Sequence, residues 1–425
     1  MSKTVKILLY IALGLVALGS VIAAIGYAKG GNEMFLGSNY NTELQRGLLG
    51  DKEDAELISD ENMNLPAFNS IAVNLEWGQL SVVFGDSYGI SLSNYTKETM
   101  PKYEVKDGVL QVNSPDQNLE YFSVGYVNEP DYYGVVITIP QGTSMKSLNL
   151  HNEDEAITLN GINADKIKIE AECSDVSLGG INTQELEIDN EDGDMKLTDI
   201  NAGVSNMDQS YGVMNLTNYT AKSLKLSLDS TQCAINNLNV ENTIINTEYE
   251  DLTIEGASGK TLDIIGENAN TGLKTINIGD TNVNCEYGFV KTDGINGNSL
   301  IIKADDDYSS VTNGVLGLLD ISSERGEIKV TATETQSMNI TDDYGDINLE
   351  GNFLGVNNIK SDSSNIVMQT KSPENLYSYK LNCSENCEAK VNGKTINGTL
   401  VVKAPTENQI NIITESGFTN LDFAK

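Results

Sequence analysis

A single histidine, His151, stands among 425 residues. That excludes a multi-histidine metal centre and leaves a Ser-His-Asp arrangement one base to draw on. As a turn residue beside Glu153, His151 reads as surface. Cysteine is scarce and odd in number: Cys173, Cys233, Cys285, Cys383 and Cys387 form no paired C-x-x-C motif of a zinc site. Only Cys383 and Cys387 lie near enough to suggest a bridge, with buried or free thiols as the alternative. Basic residues number 27 against 61 acidic ones. No Asp or Glu precedes Glu33, so beyond Lys3, Lys6 and Lys29 the chain carries 24 basic against 61 acidic residues, a net charge of −37. Such a field repels nucleic acid and anionic lipid headgroups and attracts cations or basic partners. No nucleic-acid partner is expected.

Charge is also missing from Ile7 to Ala28, a run of 22 residues. As a helix rising about 1.5 Å per residue this run spans roughly 33 Å, the thickness of a bilayer core. A cleaved leader is the competing reading, with Ala23, Ala24 and Ala28 small enough for its cleavage site, but its apolar stretch usually covers only about 7–15 residues. Lys3 and Lys6 before the run place residues 1–6 in the cytoplasm and residues 30–425 outside, a single-pass anchor (7–28) in the cell membrane. Gly19-x-x-x-Ala23 and Ser20-x-x-x-Ala24 have the spacing that pairs such helices into a homo-oligomer.

Aromatics are only 6%. What is abundant instead is Gly, Asn, Asp, Thr and Ser between pairs of Ile, Leu and Val, the composition of many short strands and turns. Residues 29–65 show no clear period and read as a tether, with a short helix around Thr42 to Leu57. From 66 to 146 the pattern alternates: Ile71, Val73 and Leu75; Leu80 and Val82; Ile90 and Leu92; Leu110 and Val112; Val135, Ile137 and Ile139. These predict strands of a β-module joined by turns at Gly85-Asp86 and Asp107-Gly108.

From Ser147 to Glu374 the chain divides every 19 residues, without an insertion, into 12 segments. Position 4 runs from Leu150 and Ile169 to Ile359 and is apolar in 12 of 12; position 13 runs from Leu159 to Met368 and is apolar in 11 of 12. Position 11 is nearly as regular and includes Cys233. Apolar pairs at 2 and 4, then at 11 and 13, are two strands turning alternate side chains to one core, and position 16 adds a further inward residue. A segment this short closes a core only by stacking on copies of itself, so the fold class is all-β, a β-solenoid of 19-residue rungs. At about 4.8 Å per strand, the rungs make a rod roughly 58 Å long. Gly193, Gly212, Gly288, Gly326 and Gly345 at position 9 read as turn residues of positive φ. Residues 375–425 keep alternating pairs (Leu400 and Val402; Ile410 and Ile412; Leu421 and Phe423) and predict further rungs with a cap over the open end.

The basic start, the apolar helix, the alternating module ending in Val-Val-Ile-Thr-Ile-Pro (135–140), and rungs such as Asp343-Tyr344-Gly345-Asp346-Ile347-Asn348-Leu349 together resemble the bacterial DUF4097 family of β-strand repeat proteins, candidate adhesins. The resemblance covers nearly all the chain. It implies a surface or envelope protein and supplies no catalytic residue to carry over.

Position 7 carries the candidate chemistry: it is acidic in 11 of 12 segments, from Glu153 to Asp362, with Ser210 the exception. Stacked in register, these carboxylates form a ladder whose like charges repel. One reading is a Ca2+ site, densest at Glu191, Asp192 and Asp194, at Asp305, Asp306 and Asp307, and at Asp342, Asp343 and Asp346. The other is solvated turn tips that keep the rod soluble. Tyr211, Tyr249, Tyr287 and Tyr344 share position 8, as a stacking surface for a sugar or partner chain or as simple turn cover. Acids spread evenly along a ladder mark no single cleft, so the expectation is a non-enzymatic adhesion rod for a surface glycan or protein, held to its own membrane by the N-terminal helix. An envelope sensor acting through a membrane partner is the alternative, followed by a polysaccharide-cleaving enzyme.

Overall fold

The computed structural model describes residues 33–37, 58–95, 99–115, 123–127, 133–305 and 308–425. The membrane span 7–28, the helix expected at 42–57, and Asp306 and Asp307 lie outside them. Among the described residues no helix is long and apolar enough to cross a membrane.

Two compact units divide the chain; the first closes at Pro140, and the second runs from Gln141 to Lys425 with Asn69–Val73 added. In the first, Gln79–Gly85 pairs parallel with Gly134–Pro140, which pairs antiparallel with Gly89–Tyr95. The alternating residues named above point inward: Leu80, Leu92, Leu110, Val112, Val135, Ile137 and Ile139 are all 0% exposed. Asp107 and Gly108, with φ of 52° and 77°, form the two-residue turn joining the antiparallel strands Lys102–Lys106 and Val109–Asn113. The supposed tether holds strands as well. Glu33–Gly37 pairs antiparallel with Ser123–Val127, and Ile58–Asn64 with Gly89–Tyr95. Two register irregularities in the second pair break the period-2 pattern, which is why this strand carries no alternation to read.

The second unit is the solenoid. Each strand pairs parallel with the residue 19 positions on, so that Leu150 faces Ile169, Ile169 faces Ile188 and Ile188 faces Met207, and the same column continues from Leu226 through Ile245, Ile264, Val283, Ile302, Ile321 and Ile340 to Ile359. Every residue of this column is at most 1% exposed. Each such side chain contributes about 1.5–3 kcal/mol on burial. A third inward face, only half visible in the sequence, lies at positions 16 and 18: Ile162, Ile181, Ile200, Tyr219, Leu238 and Ile276 are buried beside the smaller Ala164, Ala202 and Ala221. Tyr219 donates its hydroxyl to Ser205 Oγ at 2.6 Å, and burial drives its phenol well above the ordinary range.

The bend into that third face is left-handed at position 15 in ten consecutive rungs, filled by Gly161, Gly180, Asp199, Asn218, Asn237, Gly256, Thr275, Gly294, Asn313 and Ala332 with φ between 53° and 74°. Gly, Asn and Asp tolerate that conformation. The polar ones also stack: Asn218 Nδ2 donates to Asp199 Oδ1 at 2.8 Å and Asn237 Nδ2 to Asn218 Oδ1 at 3.0 Å. At position 9 the reason for glycine differs from the expected one. Positive φ occurs at Gly193 and Gly212, whereas at Gly288 and Gly345 the need is space, since a Cβ would stand 2.2 Å from Ala269 O and 1.9 Å from Gly326 O.

Past rung 12 the order of the chain and the order of the stack part company. Gln409–Ala424 lies directly on rung 12, with Ile359 opposite Ile412 and Met368 opposite Leu421. Ser378–Val391 stacks on that strand in turn, with Leu381 opposite Ile412 and Val391 opposite Leu421. Its outer edge is paired antiparallel by Lys394–Ile396 and Thr399–Val402, which covers an edge otherwise open to association. Cys383 and Cys387 are bridged.

Candidate functional site: the tip edge of the repeat

Four residues build the bend between the first and second strands of each rung. Position 6 turns inward: Asn152, Asn190, Gln209, Thr247, Cys285, Ser323, Asp342 and Ser361 are buried. So does position 9, where Ser174, Thr231, Ala269 and Ser364 are buried. The inward side chains staple the bend from within. Asn152 Nδ2 donates to Asp154 O at 2.9 Å, Asn190 Nδ2 to Gly193 O at 3.2 Å and Gln209 Nε2 to Gly193 O at 2.7 Å. A bend of this kind carries backbone carbonyls that the strand ladders leave unpaired, and these amides satisfy them. Positions 7 and 8, between the staples, project outward and form a continuous edge.

Along that edge Glu153, Glu172, Glu191, Asp229, Glu248, Glu267, Glu286, Asp305 and Glu324 are exposed. The residues read as calcium ligands scatter to different places. Glu191 and Asp192 sit on the exposed tip, and Asp305 and Asp343 occupy the same place in later rungs. Asp194 is occupied: its Oδ1 accepts from the Val213 N–H at 3.0 Å while its own N–H donates to Asp175 Oδ1 at 2.8 Å. Asp346 Oδ1 accepts from Asn365 Nδ2 at 2.9 Å. Asp342 belongs to the inward column. Its Oδ2 accepts from the Gly345 N–H at 2.6 Å and the Ser364 hydroxyl at 2.7 Å, and burial raises its carboxyl above the usual carboxylate range.

Among the described residues, the donors that do converge are His151, Glu153 and Glu172, whose ligand atoms lie within 4.8 Å of one another. His151 Nε2 is 3.7 Å from Glu153 and Nδ1 3.9 Å from Glu170. The adjoining Asp189 carboxyl is raised by partial burial and by Asp208, Glu191 and Glu170. Cys173 shares this acidic ground. Desolvation and then Asp192, Asp154, Glu172 and Glu191 push its thiol up, away from the thiolate that nucleophilic chemistry requires. Cys233 is buried, with its thiol pushed up to about 12.

Tyr211, Tyr249, Tyr287 and Tyr344 stand out from the edge at 55%, 58%, 51% and 66% exposure. Register holds through the tip: the N–H of Ser230, Tyr249 and Asn268 donate to the carbonyls of Glu248, Glu267 and Glu286 in the next rung, at 3.1, 3.0 and 2.8 Å. At the far end a recess of about 560 Å³ opens beside Tyr344, lined by Asp362, Ser363, Asn382, Ser384, Glu415 and Ser416 among others. Sequence reasoning missed both the recess and the inward polar column. The column left a signal, the recurrence of Asn, Gln, Thr, Ser and Asp at position 6. The recess left none, because it joins rung 12 to strands from 378–391 and 409–424.

Residues 69–231 match the family described as Toastrack DUF4097, which shows the resemblance read from the sequence over that stretch. No curated protein matches the chain. Solved structures that it resembles include a candidate adhesin from Bacteroides fragilis, at 11% identity and TM-score 0.23 over 73% of this chain and 100% of that one. A candidate cell adhesion protein from Clostridium sporogenes matches at 11% identity and TM-score 0.17, over 87% and 100%. A candidate lipid-binding protein from Parabacteroides distasonis matches at 11% identity and TM-score 0.20, over 87% and 98%. Likeness at this level carries no residue role across.

Proposed function

We propose that this chain is a non-enzymatic binding protein, anchored in the cell membrane by residues 7–28 with residues 30–425 outside, which engages a surface glycan or protein through the tip edge of its solenoid. The observation that carries the reading is the in-register row of exposed tyrosines among carboxylates. Large aromatic side chains more than half in water contribute little to the fold and much to an interface. The regular spread of acids, with Asp194 and Asp346 already engaged in bonds between rungs, fits a recognition surface better than one catalytic cleft.

The test is binding of the full chain, purified in detergent, to a panel of glycans, matrix proteins and the producing organism's own cell wall, first with calcium and then with chelator. Saturable binding to a foreign glycan or matrix protein supports adhesion, and its loss on chelation would assign a cation to the edge. Binding to the cell's own envelope alone would favour a sensor. Protease protection in intact cells tests the topology: residues 30–425 are expected to be cut from outside.

A further inference from the structure

The exposed tyrosines of the middle rungs follow a rule of their own. Tyr211, Tyr249 and Tyr287 hold position 8 in rungs 4, 6 and 8, with Ser230 and Asn268 holding it in rungs 5 and 7. In-register stacking therefore sets successive tyrosines two rungs apart, ~9.6 Å at about 4.8 Å per rung. Two sugar units of an extended 1,4-linked polysaccharide cover nearly the same length. The short side chains between them keep the intervals free of bulk.

The backbone makes two of these three positions costly. Tyr249 and Tyr287 have φ of 66° and 57°, the left-handed conformation shared with Asn268 at 53° and Ser230 at 49°. Asn or Gly fits there without strain, whereas the tyrosines held there keep 58% and 51% of their surface in water. An unfavourable conformation kept by two of the three rings on an exposed edge points to contact with something outside the chain. The charge around the row selects the partner. Asp229, Glu248, Glu267 and Glu286 flank it, and positions 7 and 8 of rungs 4 to 8 hold no Lys or Arg. Polyanions are repelled, while an ammonium group meets both a carboxylate and a tyrosine face.

We propose that positions 7 and 8 of rungs 4 to 8 bind an extended polysaccharide bearing amino groups, one disaccharide per tyrosine. This rests on the binding reading above and names its ligand class. The experiment is calorimetric titration of the full chain, at a pH where the amines are protonated, with a β-1,4-linked glucosamine hexamer, the corresponding dimer, and a β-1,4-linked glucose hexamer. The glucosamine hexamer is expected to bind more than about tenfold tighter than either of the others, and each ring lost to weaken it by about tenfold. Tyr249→Asn/Tyr287→Asn removes two rings while suiting the left-handed backbone. Val315→Ser, on another exposed face, is the control expected to change nothing. Glu248→Gln/Glu286→Gln keeps the rings and is expected to abolish the preference for the amine-bearing hexamer.

Unchanged affinity in the tyrosine double variant, or equal affinity for the dimer or the glucose hexamer, overturns the proposal. Silence of all three oligomers overturns it too; a protein ligand found on the wider panel would then leave the binding reading standing, and a blank panel would end both.

Discussion

Two columns of side chains run along the same bend one residue apart, and they are composed by opposite rules. Position 7 repeats a carboxylate in 11 of 12 rungs, whereas position 6 holds one acid, Asp342, among neutral residues. Outward, water and salt screen like charges a strand's width apart. Inward, each charge would be stripped of water, so the column is neutral but for Asp342, and its amides at Asn152, Asn190 and Gln209 also bind the turn carbonyls. Asp342 is the exception that shows the rule: even with two hydrogen-bond donors, burial holds its carboxyl above the ordinary range. The same bend thus separates what the fold requires from what is free to meet a partner.

Breaking the inward side should have the largest effect. Gly345→Ala forces a Cβ against the Gly326 carbonyl and is expected to cost about 3 kcal/mol in urea unfolding, while Asp305→Ala on the outward side stays within about 0.5 kcal/mol. The pH response of Asp342 sharpens the contrast. Its folded state binds the proton more tightly than the unfolded chain does, so the protonated group's contribution is fully present at acid pH and lost as pH rises through the raised pKa. The stability of the wild type relative to Asp342→Asn is therefore expected to grow as pH falls from neutral toward the ordinary carboxylate range, read from urea midpoints across pH. No such dependence would place Asp342 in contact with water.

On the outward side, Tyr249→Asn is expected to stabilise the fold by about 1 kcal/mol, because asparagine suits the left-handed conformation better. The same substitution weakens glycan binding, so a thermal melt and a titration should move in opposite senses. The smallest effect belongs to the charge ladder. Glu267→Gln lies between Glu248 and Glu286 and is expected to gain on the order of 0.5 kcal/mol at low salt, fading as salt is added.

Much of the solenoid was legible because a 19-residue period leaves the same residue type at the same place in every rung. Positions 4, 11 and 13 named the core, and Cys233 fell where expected, at 1% exposure. The polar column at position 6 escaped because polar residues in a turn read as solvent-facing. The tyrosine row and its spacing of two segments were legible in the sequence, but the left-handed backbone at Tyr249 and Tyr287 was not. Glycine at position 9 was noticed for conformational freedom, while at Gly288 and Gly345 the cause is the carbonyl of the rung before.

The sequence by itself determined the rung length, the apolar inward residues at positions 4, 11 and 13 and the sign of the surface, since each depends on a local pattern repeated along the chain. Only the tertiary structure decided that Gln409–Ala424 enters the stack ahead of Ser378–Val391. A strand's partner is chosen by which edge lies open to it, and residues distant in sequence compete for that edge on equal terms.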